Sequence, residues 1–338
     1  MNYYDTIFVT NLPSFYKLSL YNRIAEKKKI MVIFTGDTAL LRDKDFFDGS
    51  YAFEYFYLSH NTDLKRALAA CKIVKACTYK ELVIGGWDSL VMWFLLFISD
   101  KEINSQIIES SYLESTTKGF KGFLKKLFLS RISKVYVPGK SNEKLVKDLG
   151  YSGQIVKTGG VGLFNIVSQP IYTKKEKVEN FLYVGRLSEE KNLFSIIQVF
   201  NNLPNIRLNI VGYGPLEAKL KALAMPNICF YGAVKNRNLF SVYQSNDVLI
   251  LPSFSEPWGL VVEEALNNGI PVIVSDKVGC AEEIVNESNG IIYSIGDPVG
   301  LKNAILKMKN VAYYNELREN ISKYDFEEIV ENQINCYL

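Results

Sequence analysis

Short apolar runs recur along this chain, separated by amphipathic segments of helical length, and that alternation constrains the fold more than any other feature. In the first half the runs are "TIFVT" (6–10), "IMVIFTG" (30–36), "ELVIGG" (81–86), "QIIES" (106–110) and "KVYVPG" (134–139). In the second half they are "NFLYVG" (180–185), "RLNIVG" (207–212), "NICFYG" (227–232), "DVLILPS" (247–253) and "PVIVSD" (271–276), with "GIIYS" (290–294) as an edge strand. Strand–helix–strand units of this kind build parallel sheets. Several runs end in Gly, Pro-Gly or Pro-Ser, which places tight turns at the carboxyl ends of strands, where open α/β sheets bind ligands.

The 338 residues suit two domains of about 150 each. The polar, lysine-rich stretch "SQPIYTKKEKVEN" (168–180) reads as the break between them. The expected fold is α/β, with two Rossmann-like parallel-sheet domains, 1–170 and 171–322, facing each other across a cleft. A C-terminal segment, 323–338, follows, with Phe326, Ile329, Val330, Ile334 and Tyr337 at near-helical spacing. It is expected to pack back on the first domain.

Composition narrows the function classes. A 48% apolar, 22% charged chain is that of a folded soluble protein, and a net charge of +3 is too small to argue for nucleic acid. Cys71, Cys77, Cys229, Cys280 and Cys336 are dispersed without CxxC pairing, which fits a reducing cytoplasm and argues against a disulfide framework or zinc site. The single histidine, His60, excludes most Ser/His/Asp, Cys/His and multi-histidine metal schemes and reads as a loop residue. No secretory signal opens the sequence. "LVMWFLLFI" (90–98) is under half of the ~20 residues that span a bilayer and reads as a buried core helix.

Three stretches carry chemistry. In "LYVGRLSEEKNL" (182–193) a strand ends at Gly185, Arg186 follows, and Lys191 stands at the start of a helical pattern. A planar fork of donors and a compact cation at a strand end suit a diphosphate, although Glu189 and Glu190 between them also fit a solvated loop. In "IVGYGPLEAKL" (210–220) Gly212 and Gly214 permit a tight turn, but Glu217 occupies the third glycine position of a dinucleotide fingerprint. In "SFSEPWGLVVEEALNNGIPVIVSD" (253–276) Glu256 precedes a helix whose first-turn amides include Gly259, Leu260 and Val261, and Glu264 lies a turn inside. That arrangement fits a phosphate plus hydroxyls, since a carboxylate accepts paired hydrogen bonds from vicinal hydroxyls. Glu256 and Glu263 would also serve simply to complement the helix dipole.

Ser253, Glu256, Gly259, Glu264, Ala265 and Gly269-Ile270-Pro271 resemble the E-x7-E region of glycosyltransferase family 4. The resemblance extends through "VGRLSEEKN", "IVGYGPLE", "FYGAV", "YQSNDVLILPS" and "VGCAEEIV", over about residues 180 to 300. It implies a GT-B fold and sugar transfer from a nucleotide donor with retention of configuration, on a bacterial surface-glycan pathway. Arg186 and Lys191 would neutralise the donor diphosphate in place of a metal ion. Glu264 would hold the ribose and Glu256 the donor sugar, with amides of 259–261 assisting, and the backbone near Val234 would face the base. Arg186, Lys191 and Glu256 are thus the catalytic set and Gly212 and Gly214 join the donor site; no metal or cofactor is expected.

Two departures fall in the first half. "TNLPSFYKLSLYNRIAEKK" (10–28) replaces the usual glycine-rich loop, and a similar PSxYR segment in some members makes it an acceptor-facing loop, with Ser14 and Tyr16 as candidates. At "QIIESSY", where many members place a histidine near the reacting sugar, Glu109 or Ser110 would stand. The stripe "KGFKGFLKKLFLSRISK" (118–134) carries Lys118, Lys121, Lys125, Lys126 and Arg131 interleaved with Phe123 and Phe128, and no acid. It fits an anionic membrane surface, although a core-facing helix with a solvated lysine face has the same pattern. The expectation is a glycosyltransferase, hexosyl or N-acetylhexosaminyl, peripheral on the cytoplasmic membrane face. It would use a UDP-sugar by preference and a lipid-linked or cell-envelope glycan as acceptor, with no nucleic acid partner. A GT-B epimerase or a non-catalytic membrane-associated GT-B protein is the alternative.

Overall fold

The computed structural model describes residues 2–36, 49–58, 62–112 and 114–338; His60 lies outside them. The chain divides into two compact units, Met1–Leu163 with Ile329–Leu338, and Phe164–Glu328. Among the described residues each unit holds one parallel sheet.

In the first unit the strands are β1 (Asn2–Thr10), β2 (Ile30–Phe34), β3 (Glu54–Tyr57), β4 (Cys77–Ile84), β5 (Asn104–Ile107), β6 (Lys134–Val137) and β7 (Gln154–Lys157), in the spatial order β3-β2-β1-β4-β5-β6-β7. β1 is central, with Ile7 opposite both Met31 and Leu82, and all three side chains are fully buried. Helices cover a parallel sheet, so its central strands are apolar throughout, as β2 is. The helix Leu90–Ile98 packs on this core through Val91, Met92, Leu95 and Leu96. It is only half a core helix: Leu90 and Phe97 are exposed.

In the second unit the strands are β8 (Asn180–Val184), β9 (Arg207–Val211), β10 (Ile228–Gly232), β11 (Val248–Leu251), β12 (Val272–Ser275) and β13 (Gly290–Tyr293), in the order β10-β9-β8-β11-β12-β13. In both sheets the chain winds outward in one direction and then in the other. The switch falls between β1 and β4 in the first unit and between β8 and β11 in the second. Crevices at the carboxyl ends of strands at such points are where this topology binds ligands.

Several boundaries differ from the sequence expectation. β3 and β7 lie at the sheet edges, where a strand lacks the continuous apolar run that marks a buried one. β5 begins at Asn104, and its polar Asn104 and Ser105 are buried because they donate to Arg131 O at 3.2 Å and to Glu81 Oε1 at 2.6 Å. Glu109 and Ser110 therefore lie past the strand. The units divide after Leu163, earlier than the charged stretch suggested, because 168–180 is fastened to the second unit. Tyr172 donates to Asn315 O, Arg318 to Thr173 O, and Lys175 pairs with Asp247 at 2.9 Å. Residues 329–338 group with the first unit: Glu331 pairs with Arg23 and Lys27, and the Tyr337 ring stacks on Tyr136 at 4.6 Å. All five cysteines are free. Among the described residues no helix is long and apolar enough to cross a membrane.

Candidate functional site

At the switch point of the second sheet, the loops after β8 and β11 meet. β8 ends at Val184, and Gly185 turns the chain into Arg186. The neighbouring loop after β9 approaches so closely that a Cβ on Gly212, at φ +132°, would lie 1.9 Å from Gly185 O. The backbone bonds Leu187 N to Tyr213 O (2.9 Å) and Leu216 N to Leu187 O (3.0 Å) hold the two loops together. Gly212 and Gly214 therefore serve this loop-on-loop contact, Gly214 against the backbone of Leu187.

Arg186 is exposed for about half of its side chain (53%) and reaches Glu190 at 3.0 Å. Burial works to raise the Glu190 pKa, but the Ser188 hydroxyl at 2.6 Å and Arg186 hold it below the usual carboxylate value. Lys191 ends a short 3-10 turn, after which Asn192 adopts a left-handed conformation (φ 55°) and donates to Pro252 O at 3.0 Å. That bond ties the loop after β8 to the end of β11. Lys191 then pairs with Glu256, both side chains being mostly buried (12% and 15% exposed).

Glu256 is fixed from behind. Its amide donates to Lys277 O (3.2 Å), and its carbonyl accepts from Gly279 N (2.8 Å). Gly259, at φ +104°, swings the chain into the helix Leu260–Asn267, a turn that a side chain would strain. The amides of Gly259, Leu260 and Val261 have no hydrogen-bond partner among the described residues, as expected of a helix's first turn. Trp258, buried, donates from its indole nitrogen to Glu263 Oε2 at 2.8 Å. Glu263 is thus no surface complement to a dipole: burial, opposed by that bond, pushes its pKa up to about 8.

Glu264 faces a different environment. It lines a recess of about 140 Å³ together with Asn165, Asn236, Arg237, Phe240 and Tyr243. Burial raises its pKa to about 7 against the lowering effect of the Tyr243 hydroxyl, which donates to Oε2 at 2.6 Å. Asn268 Nδ2 fixes the Glu264 carbonyl at 2.8 Å. Asn165 Nδ2 and Asn268 Oδ1 are buried without partners among the described residues, which leaves unused polar capacity at this recess. Val234 is half-buried in the loop leading to Asn236 and Arg237. The sequence reading gave no role to Asn165, Asn192, Arg237, Phe240, Tyr243 or Trp258. Of these, Asn192, Tyr243 and Trp258 fell within motifs already noticed.

The first unit brings together some of its candidates. Glu109 pairs with Lys17 at 2.9 Å, and Lys17 was not singled out from sequence. Ser14 is the residue before the helix Phe15–Ala25, buried with its hydroxyl unpartnered among the described residues. The Tyr16 ring packs where a Cβ on Gly162 would fall. Ser110 is half-buried, its carbonyl held with that of Glu109 by Asn142 Nδ2 at 2.9 and 3.0 Å. Of the basic stripe, Lys118, Lys121, Phe123 and Lys126 are exposed along the helix Gly119–Leu129, with Phe120 and Leu127. Three of its residues are not surface groups. Phe128 is fully buried against Trp93 at 4.9 Å, Arg131 donates to Leu96 O and Ser99 O, and Lys125 bonds Ser115 and Thr116 O and lies over the Trp87 ring. Among the described residues no group of three or more His, Cys, Asp or Glu is placed to hold a metal ion.

Residues 167–327 match the family model described as glycosyl transferases group 1. The sulfoquinovosyl transferase SQD2 of Arabidopsis thaliana is 33% identical over 149 residues, covering 44% of this chain and 29% of that protein. The chain spans between 29% and 44% of the length of the first curated relatives it matches. Two solved structures share its fold over 98% of both chains: the lipopolysaccharide outer core galactosyltransferase WaaB in its apo form (TM-score 0.71, 14% identity) and Anabaena Alr3699/HepE in complex with UDP (TM-score 0.69, 15% identity). Its two parallel-sheet Rossmann-like units are those of the GT-B fold, and over residues 167–327 the chain is similar to the group 1 glycosyl transferases.

Proposed function

We propose that this protein transfers a sugar, hexosyl or N-acetylhexosaminyl, from a nucleoside-diphosphate donor to a lipid-linked or cell-envelope glycan, with retention of configuration and without a metal ion. The observation that carries the reading is the Lys191–Glu256 pair at the switch point of the second sheet, beside the unpartnered amides of Gly259, Leu260 and Val261. Retention follows from the resemblance of the E-x7-E region. The preference for UDP rests on the HepE structure with UDP, and the envelope acceptor on the likeness to WaaB.

In this reading the donor diphosphate displaces one partner of a pre-formed pair. Lys191 exchanges the Glu256 carboxylate for phosphate oxygens, Arg186 leaves Glu190 to join it, and the helix amides complete an anion site. Glu256, freed, accepts hydrogen bonds from the donor sugar, while Glu264 takes the ribose hydroxyls in its recess. As the anomeric C–O bond breaks, negative charge grows on the nucleoside diphosphate. Fixed cations and amides stabilise that charge more in the transition state than in the ground state.

The acceptor end of the reading places the protein on an anionic membrane face. Phe120, Phe123 and Leu127 project from one side of the helix Gly119–Leu129, flanked by Lys118, Lys121 and Lys126. A thermal-shift panel of nucleoside diphosphates and their sugars tests the donor half. Stabilisation that vanishes in Arg186→Ala and Lys191→Ala is expected, and an unchanged shift in both variants would sink the diphosphate assignment. Activity abolished by EDTA and restored by manganese would contradict the metal-free scheme.

A further inference from the structure

We propose that the Trp258–Glu263 hydrogen bond positions the Glu256 carboxylate against the amides that open the helix Leu260–Asn267. The inference goes beyond the proposed function and rests on it only in taking Glu256 to meet the donor sugar. Gly259 is the residue before the helix, so Trp258 stands one place before it and Glu263 fourth in the helix. Those are the two places where an apolar pair commonly fixes the angle at which a chain enters a helix. Here the pair is joined by a directed bond instead, Trp258 Nε1 donating to Glu263 Oε2 at 2.8 Å. Both side chains are buried, at 2% and 4% exposure.

The bond closes a frame around the loop that carries Glu256. On one side the loop is laid along the segment after β12. Glu256 N donates to Lys277 O at 3.2 Å, Gly279 N to Glu256 O at 2.8 Å and Cys280 N to Trp258 O at 2.9 Å. The fit is tight: a Cβ on Gly279 would stand 1.9 Å from Pro257 O, and one on Gly259 3.1 Å from Val278 and 3.2 Å from Leu251. The indole ties the other side to the helix itself. Glu256 is thus held from the sheet by backbone bonds and from the helix by Trp258, beside the free amides of Gly259, Leu260 and Val261. An apolar residue at position 263 would pack on the indole without taking a carboxyl out of water, which is costly. What the acid adds is the direction of the indole rather than stability. Burial, with Glu264, raises the Glu263 pKa to about 8 against the Trp258 bond, so at neutral pH this brace places little negative charge beside an anion site.

Hydrogen exchange and calorimetry on the full chain test it. Glu263→Leu alone strands a buried indole N–H and can unfold the protein, so the deciding variant combines it with Trp258→Phe, which restores an apolar pair; melting temperatures report its folding. In this double variant the amides of Glu256, Gly279 and Cys280 should exchange about tenfold faster, with the strands of the second sheet unchanged. Glu263→Gln keeps an acceptor for the indole and should exchange as wild type does. Calorimetry with UDP, and with UDP-glucose, UDP-galactose and their N-acetyl counterparts, gives the second readout. The double variant should bind UDP as wild type does, while the affinity ratio of the best-bound UDP-sugar to UDP falls about tenfold. Unchanged exchange at those three amides or an unchanged ratio in the double variant would overturn the inference, as would a Glu263→Gln protein that behaves like the double one. Absent UDP binding in wild type would instead strike the proposed function, and the exchange rates would still decide the role of the bond.

Discussion

Both units bring a lysine and a glutamate together at the carboxyl side of a parallel sheet, and the two pairs are differently built. In the second unit Lys191 and Glu256 bury each other about equally, and unpartnered helix amides stand beside them. In the first, the lysine is buried and the glutamate partly exposed. The buried acids of the two units differ too. Glu263 and Glu264 are met by neutral donors, Trp258 and Tyr243, and burial holds their protons into the neutral range. In the first unit Glu81 meets a cation: burial works to raise its pKa, but Lys134 at 2.8 Å, with Ser105 and Tyr136, holds it below its ordinary value. The second unit thus limits negative charge around a site that is to receive an anion. The first keeps permanent charge pairs.

The comparison breaks first at Lys191. Lys191→Ala should lower the transfer rate about a hundred- to a thousandfold, the scale for removing one fixed donor from a developing negative charge. Glu109→Ala, measured alongside, should leave nucleotide affinity intact. If Lys191→Ala changes only the acceptor KM, the anion site has been assigned to the wrong pair.

The next effect is on stability and should be asymmetric. Glu109→Gln strands a buried ammonium and should cost about 3 kcal/mol in denaturant unfolding of the first unit. Lys17→Met leaves a carboxylate that water still reaches, and about 1 kcal/mol is expected. Equal costs would mean that the lysine is not the buried partner.

The buried acids of the second unit predict a pH dependence. A carboxyl whose folded pKa is raised binds its proton more tightly folded than unfolded, so stability falls as pH rises from the ordinary carboxylate value toward the folded one. For Glu263 that window runs from the ordinary carboxyl value of 4.5 to about 8. Through Glu263 alone the second unit should lose about 2 kcal/mol between roughly pH 5.5 and 7.5. Glu263→Gln keeps an acceptor for Trp258 and should flatten the slope, leaving the smaller part due to Glu264. The first unit should show no matching slope from Lys17, whose upward shift keeps it charged across this range. An unaltered slope in Glu263→Gln would remove the contrast.

The smallest effect concerns the membrane. Neutralising Lys118, Lys121 and Lys126 should weaken binding to anionic vesicles by about 1 kcal/mol per charge, with the loss diminishing at high salt. The same change at Lys125 should do less, since its ammonium is already engaged by Ser115, Thr116 and Trp87. Vesicle binding that survives all three changes would leave the exposed phenylalanines without a partner.

The fold was legible because central strands of a parallel sheet are buried on both faces and read as apolar runs, as "TIFVT" and "DVLILPS" do. The first sheet's edge strands escaped, since "EYFY" and "QIVK" carry no such run. In the second unit the spacing of Glu256, Gly259 and Glu264 is local to one loop and helix, so the sequence displays it directly. The partners that define those residues are remote: Lys191 lies 65 positions from Glu256, and Tyr243 lies 21 from Glu264. In the first unit the Lys17–Glu109 pair joins the helix after β1 to the loop after β5, and Lys17 in "PSFYKLS" looks like any solvated lysine. Only burial distinguishes it. The basic stripe misled for the opposite reason, since Phe128 and Arg131 share its pattern but face the core.

Hydrogen exchange of the full chain with and without UDP tests the central claim most directly, that the anion site belongs to the second unit's switch point. The account predicts slowed exchange at residues 185–192, 234–243 and 256–264. Protection confined to residues 10–17 and 108–112, or no protection at saturating UDP, would contradict it.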